Sequence, residues 1–149
     1  MTTDAVLTID PATQLYDINL DENGDIATDD FFDTSILYSL FGERRASPDE
    51  VVDADRRRGW IGNEDEDFEN GSKLWLLEQS RLTASNLSRI EDEAKKALQW
   101  LVDDGFAVAI EDVTTSLGRG KILLSVTIRR SRDKVDKRLF ELWQNTGIR

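Results

Sequence analysis

The sequence predicts an α+β protein: a single compact domain in which antiparallel β-hairpins pack against one long amphipathic helix and shorter helices. Three observations carry this. Apolar side chains recur every three or four positions over residues 84–104, and over 106–130 the period switches to two. Gly, Asn and Asp gather where the periods change. A chain of 149 residues, 39% apolar and 33% charged, is of ordinary size for one domain and rich enough in Leu, Ile, Val, Phe and Trp to build a core.

Residues 1–14 read as a flexible N-terminal arm, which leaves 15–149 as the α+β domain. Leu15 to Leu20 alternates as a strand does, Asp21-Glu22-Asn23-Gly24 supplies turn chemistry, and Asp25 to Thr28 returns as a short second strand. The Asp-rich turn invites comparison with a calcium loop. The pattern fails, because the sixth position from Asp21 is Ile26 rather than Gly and the twelfth is Phe32 rather than Glu. Asp29 or Asp30 caps a helix over 30–41 that ends at Gly42.

From Glu43 to Asn70 the chain is polar, with Pro48, Gly59 and Gly62, and it carries Arg56-Arg57-Arg58-Gly59-Trp60 followed by the acidic run 64–67. A connection of this length inside a domain is either functional or disordered. Trp60 beside the arginines reads equally as a binding anchor and as a ring tucked under a loop. Ser72 begins a helix over 72–80 with an apolar side made by Leu74, Trp75 and Leu77. Thr83 is the predicted N-cap of the long helix over 84–104, whose core face is Leu87, Ile90, Ala94, Leu98 and Leu101 and whose stop is Gly105. Glu91 and Lys95, four apart, are expected to pair on its wet face.

The 106–130 hairpin follows. Phe106, Val108 and Ile110 form one face of its first strand; Ile122, Leu124, Val126 and Ile128 form the core face of its second. Leu139, Phe140, Leu142 and Trp143 predict a closing amphipathic helix over 134–144. Trp75 and Trp100, on apolar helix faces, read as core rather than as ligand platforms.

Composition then removes whole classes of chemistry. There is no Cys, so disulfides, thiolate catalysis and Cys-held metals are excluded, and no His, so imidazole bases and most zinc or copper sites are excluded as well. No catalytic, cofactor-binding or metal-binding residue is assigned. No apolar run reaches membrane-spanning length, and Met1-Thr2-Thr3-Asp4 lacks the basic and apolar regions of a signal peptide, so residence in a cytoplasm and no membrane partner are the expectation. The net charge of −11 argues against unaided binding to nucleic acid. That charge is polarised: residues 1–70 hold 19 acidic and 5 basic side chains, a balance of −14, whereas 71–149 hold 11 and 14, a balance of +3. Such a distribution suits electrostatically steered assembly and is equally compatible with an ordinary solvated surface.

Arg57-Arg58-Gly59-Trp60-Ile61-Gly62-Asn63, then Gly71-Ser72-Lys73-Leu74-Trp75-Leu76-Leu77-Glu78, then Leu98-Gln99-Trp100-Leu101 with Asp103-Asp104-Gly105, stand in one order. With the early helix from Phe31 to Leu37, this series resembles the Mu-type phage baseplate proteins, relatives of the wedge subunit that carries a lysozyme-like label in other contractile tails. The resemblance spans roughly residues 15–143. Ile61 stands where the family usually has a second Trp, and Asn63 where it usually has an acid, so this loop is not expected to meet its neighbour in the family's usual manner.

The resemblance implies a structural subunit of a contractile-tail baseplate wedge, part of the virion and assembled in the host cytoplasm. Its implied partners are other wedge subunits, the tail sheath protein, and tail tube or hub proteins. It further implies that a sheet edge starts sheath assembly by accepting sheath strands. On that reading the edge is the strand 122–130, with Leu124, Val126 and Ile128 in it, Arg129, Arg130 and Arg132 steering the partner, and Arg57, Arg58 and Trp60 forming a second contact. The alternative is an ordinary core hairpin whose Lys and Arg guard the edge.

The family's label also raises a peptidoglycan glycoside hydrolase. That chemistry needs two carboxylates about 5–10 Å apart, one held protonated by an apolar pocket. Glu78, on its Trp- and Leu-rich segment, is the candidate acid and Glu43 its possible partner, but no spacing unites them; a Glu78 bonded to an arginine of 56–58 or to backbone is the plainer reading. A non-enzymatic protein is therefore expected. A subunit of a phage-derived tailocin or secretion machine would share every one of these features.

Overall fold

The computed structural model describes residues 3–9, 12–13, 15–59, 63, 70–78, 83–118 and 121–144. They fall into two compact units, residues 1–38 and 39–149.

The first unit holds strands β1 (Thr3–Ala5), β2 (Leu7–Ile9), β3 (Tyr16–Ile18) and β4 (Thr28–Asp30), and the start of helix α1 (Phe31–Phe41). β1 pairs antiparallel with β4, and β2 with β3. Residues read as a loose arm thus include two strands. Ala5, Leu7 and Ile9 already alternate in the sequence, a strand signal too short to stand out. The expected local hairpin survives only at its tip. Leu20 bridges Ile26, and the Asp21 carboxylate accepts from the N–H groups of Asn23 (2.8 Å) and Asp25 (3.0 Å), with Gly24 at φ 83°. Beyond the tip each arm pairs with a preceding segment instead. The Thr34 hydroxyl donates to the Ala5 carbonyl (2.9 Å), tying α1 to the strand before it.

The second unit is built around helix α2 (Ala84–Asp103) and an antiparallel sheet of β5 (Ala109–Gly118), β6 (Lys121–Arg129) and β7 (Val135–Gln144), in the order β5-β6-β7. Thr83 caps α2, its hydroxyl accepting from Asn86 N–H (3.2 Å). Gly105, at φ 82°, ends it, with Phe106 N–H bonded to Leu101 C=O (2.8 Å) and Gly105 N–H to Val102 C=O (3.1 Å). Ile90, Ala94, Ala97, Leu98 and Leu101 are buried on α2, as are Ile122, Leu124, Val126 and Ile128 on β6. Burying each large aliphatic side chain is worth about 1.5–3 kcal/mol, so this interlayer face carries most of the unit's stability.

Three sequence expectations are corrected here. The closing helix over 134–144 is strand β7, in register with β6 from Arg129↔Val135 to Leu123↔Glu141. Phe140 and Leu142 share the core side and Leu139 the outer side, so the adjacent apolar residues that mimic a helix face are split across a sheet. The helix over 72–80 is reduced to a 3₁₀ turn, Leu74–Leu77, because the Ser72 hydroxyl seizes Leu74 N–H (3.2 Å) and the turn continues through i→i+3 bonds. In the 106–130 hairpin, Ala107 is the buried residue while Phe106 and Val108 are exposed, and the strand proper starts at Ala109 with a bulge between Ile110 and Asp112.

Candidate partner-binding surfaces

Arg57, Arg58 and Trp75 of the arginine and tryptophan motifs make their bonds within the chain. Arg57 Nε donates to Ala46 C=O (2.6 Å), and Ala46 N–H returns a bond to Arg57 C=O (2.9 Å). Arg58, at φ 52°, pairs with Glu43 (2.7 Å) and lays its guanidinium 4.8 Å above the Trp75 ring. Trp75 Nε1 in turn donates to Arg44 C=O (2.9 Å). Gly71, at φ 94°, runs so close to Gly42 that a Cβ would stand 2.5 Å from its carbonyl oxygen; just after it, Ser72 N–H bonds Gly42 C=O (2.8 Å) and Ser72 Oγ bonds Leu40 C=O (2.5 Å). The motif residues described here therefore fasten the 43–58 segment to the 71–78 segment. Trp60 lies outside the described residues.

What these segments leave outside is a cleft of about 600 Å³ lined by Val51, Val52, Arg56, Trp75, Leu76 and Glu78, with Arg58 and Asp53 also at its wall. Glu78 is exposed there, and Glu43 is held by Arg58, so the two carboxylates considered for hydrolysis stand in a solvated and an ion-paired setting. Neither is the desolvated acid that glycoside cleavage requires.

The sheet gives the second surface, and it moves the predicted docking edge. β6 is the central strand, paired on both sides, with Leu124, Val126 and Ile128 fully buried, so it has no edge to offer. Arg129 is bonded to Glu111 and, through its other nitrogen, to Arg132 C=O (3.1 Å); Arg130 reaches Asp136 at 3.7 Å; the Arg132 side chain is exposed. The two outer strands differ. On β5, Glu91 Oε1 reaches from α2 to accept both the N–H and the hydroxyl of Thr115, each at 2.8 Å, so an outward-pointing backbone group is already satisfied. Glu91 is thus committed to the sheet rather than to Lys95. On β7, Arg130 N–H bonds Lys134 C=O (2.9 Å), which fixes the alternation of the ladder: Val135, Lys137, Leu139 and Glu141 direct their backbone groups away from β6. Among the described residues no strand pairs with that side. The signal for this edge in the sequence was the alternation from Val135 to Leu142, obscured by charged Asp136 and Arg138 on the inner side, where Asp136 lies 3.7 Å from Arg130 and 3.8 Å from Arg138.

No helix among the described residues is long and apolar enough to cross a membrane. Residues 32–135 match the family model described as Phage protein GP46. The baseplate protein gp46 of Escherichia phage Mu is 36% identical over 106 residues, covering 70% of this chain and 73% of that protein. The Mu-like prophage FluMu protein gp46 of Haemophilus influenzae is 31% identical over 113 residues, covering 75% and 78%. Both the extent of the family match and these identities lead to one conclusion: the chain belongs to the Mu-type phage baseplate family of GP46 proteins.

Proposed function

We propose that the protein is a non-enzymatic structural subunit of a contractile-tail baseplate wedge, which joins neighbouring wedge subunits and offers the outer edge of β7 to tail-sheath strands. The observation that carries this is the asymmetry of the sheet: β5 has its edge group at Thr115 taken by Glu91, whereas β7 keeps an outward row of N–H and C=O groups. An open edge of this kind adds an incoming strand through main-chain bonds, with alternate side chains setting register. The baseplate name of the phage Mu relative supports the setting. The cleft beside Trp75, lined by apolar Val51, Val52 and Leu76 as well as by exposed Arg56, supplies a separate contact for an adjoining subunit. The protein works within the virion, is assembled in the host cytoplasm, and has tail tube or hub proteins among its further partners.

The test is Leu139→Pro. Its N–H points outward, so proline there removes an edge donor and spares the ladder to β6. Proline at Val126, on the central strand β6, would instead disrupt the centre of the sheet. Baseplates carrying Leu139→Pro are expected to assemble yet fail to nucleate sheath. Sheath polymerising on them at the normal rate overturns the edge reading, and clearing of purified cell wall that disappears in Glu78→Gln overturns the non-enzymatic one.

A further inference from the structure

The first unit carries an apolar face that its own strands leave uncovered. Ile18 ends β3, Leu20 follows two residues on, and Ile26 stands directly opposite Leu20 across the isolated bridge. All three are about half exposed, at 49%, 59% and 54%. Every charged side chain of residues 1–38 is negative: there are nine Asp and Glu and not one Lys or Arg, the first cationic side chain being Arg44. Glu22 and Asp25 flank the apolar tip and are exposed. Carboxylates rimming an apolar centre mark a contact surface for something both cationic and apolar.

The second unit displays that chemistry. On the outer side of β7, Val135 and Leu139 are exposed at 44% and 62%, and Lys137 stands between them. Arg132 and Lys134, both exposed, lie in the turn that leads into the strand. From Arg119 to Arg149 there are nine basic residues against three acidic ones. We infer that the hairpin tip of one copy, with Leu20 and Ile26 as anchors and Glu22 and Asp25 as steering charges, docks on the Val135–Leu139 face of a second copy, against Lys134 and Lys137. The contact joins two different surfaces. It is heterologous, and it builds rings if its rotation closes and open chains if it does not.

Sedimentation equilibrium of the full-length protein tests this, over protein concentrations up to about 1 mM and at low and high salt; screening at high salt weakens the contact. The double variant Glu22→Lys with Asp25→Lys is expected to weaken self-association at least about tenfold. Lys134→Glu with Lys137→Glu should weaken it alike. An equimolar mixture of the two double variants restores it, because each then supplies the complement of the other's altered surface. Leu20→Ser weakens association without altering its salt dependence. A protein monomeric throughout the range overturns the inference, as does association that both charge-reversed variants retain, or a mixture no tighter than either variant alone. These results are read on the protein alone, in the absence of sheath, and so do not depend on the sheath-edge reading.

Discussion

Glu91 Oε1 lies 2.8 Å from both the backbone nitrogen and the hydroxyl of Thr115, so one helix carboxylate occupies an edge donor in the middle of β5. Removing it leaves a backbone donor without its acceptor, at a cost of about 1–3 kcal/mol. Glu91→Ala should lower the urea midpoint accordingly, and Glu91→Gln, which keeps an acceptor oxygen, should lose less than half as much. Light scattering should rise in Glu91→Ala alone, since the Thr115 edge donor is then free to pair with another chain.

The interlayer core makes a sharper prediction. Leu98 on α2 is fully buried, and Leu98→Ala should cost about 2–5 kcal/mol by chemical denaturation. Leu139→Ala, on the solvent side of β7, should stay within about 0.5 kcal/mol. Equal losses at the two sites would mean that the faces of β7 are assigned the wrong way round.

Two glycines of similar backbone geometry should behave differently. Gly24 and Gly71 have φ of 83° and 94°, but an added Cβ meets nothing within 4 Å at Gly24 and the Gly42 carbonyl at 2.5 Å at Gly71. Gly24→Ala should lose about 1–2 kcal/mol from backbone strain alone. Gly71→Ala should fail to fold stably at 37 °C, which circular dichroism melting will report.

The aromatic clamp is open to dissection as well. Trp75→Phe keeps a ring beneath Arg58 and drops only the bond to Arg44 C=O, so it should cost about 1 kcal/mol, whereas Trp75→Ala loses ring packing too and should cost about 3–5 kcal/mol.

Acid should act through Glu50. Hydrogen bonds from Lys73 (2.9 and 3.2 Å), and next from Ser47 N–H (2.7 Å), hold its carboxyl below the ordinary glutamate value of 4.5. A lowered folded-state pKa means that the stabilisation is complete above that value and disappears as pH falls through the lowered one. Denaturation curves at pH 7, 4.5 and 3 should therefore show the gap between wild type and Glu50→Gln shrinking on acidification. Parallel losses in both proteins would show that the pair contributes nothing.

How far the sequence disclosed this architecture depended on whether periodicity and charge agreed. In α2 they did: the apolar spacing, Thr83 and Gly105 all pointed to one element, and cap, face and stop occur where they were expected. β6 was equally clear because its core-side residues are uniformly aliphatic. β7 was hidden because Asp136 and Arg138 occupy inner positions that a strand normally gives to apolar residues, and because Leu139-Phe140 reads as part of a helical stripe. With β7 misassigned, the edge was placed on the strand it covers. The motif loop was legible as a family signature but not in its role; nothing in Arg57 or Arg58 announces that one bonds Ala46 C=O and the other lies over Trp75.

The backbone contact between Gly42 and Gly71 pinches the chain at the two ends of the segment between them, and Ser72 N–H locks the pinch with a bond to Gly42 C=O (2.8 Å). Material added beyond such a neck does not shift the layers behind it, and each doubling of loop length costs only about 0.6 kcal/mol. An insertion at the exposed Pro48–Asp49 turn is consequently expected to leave the helix and sheet behind the neck in place, at the expense only of the cleft that Val51, Val52 and Asp53 line.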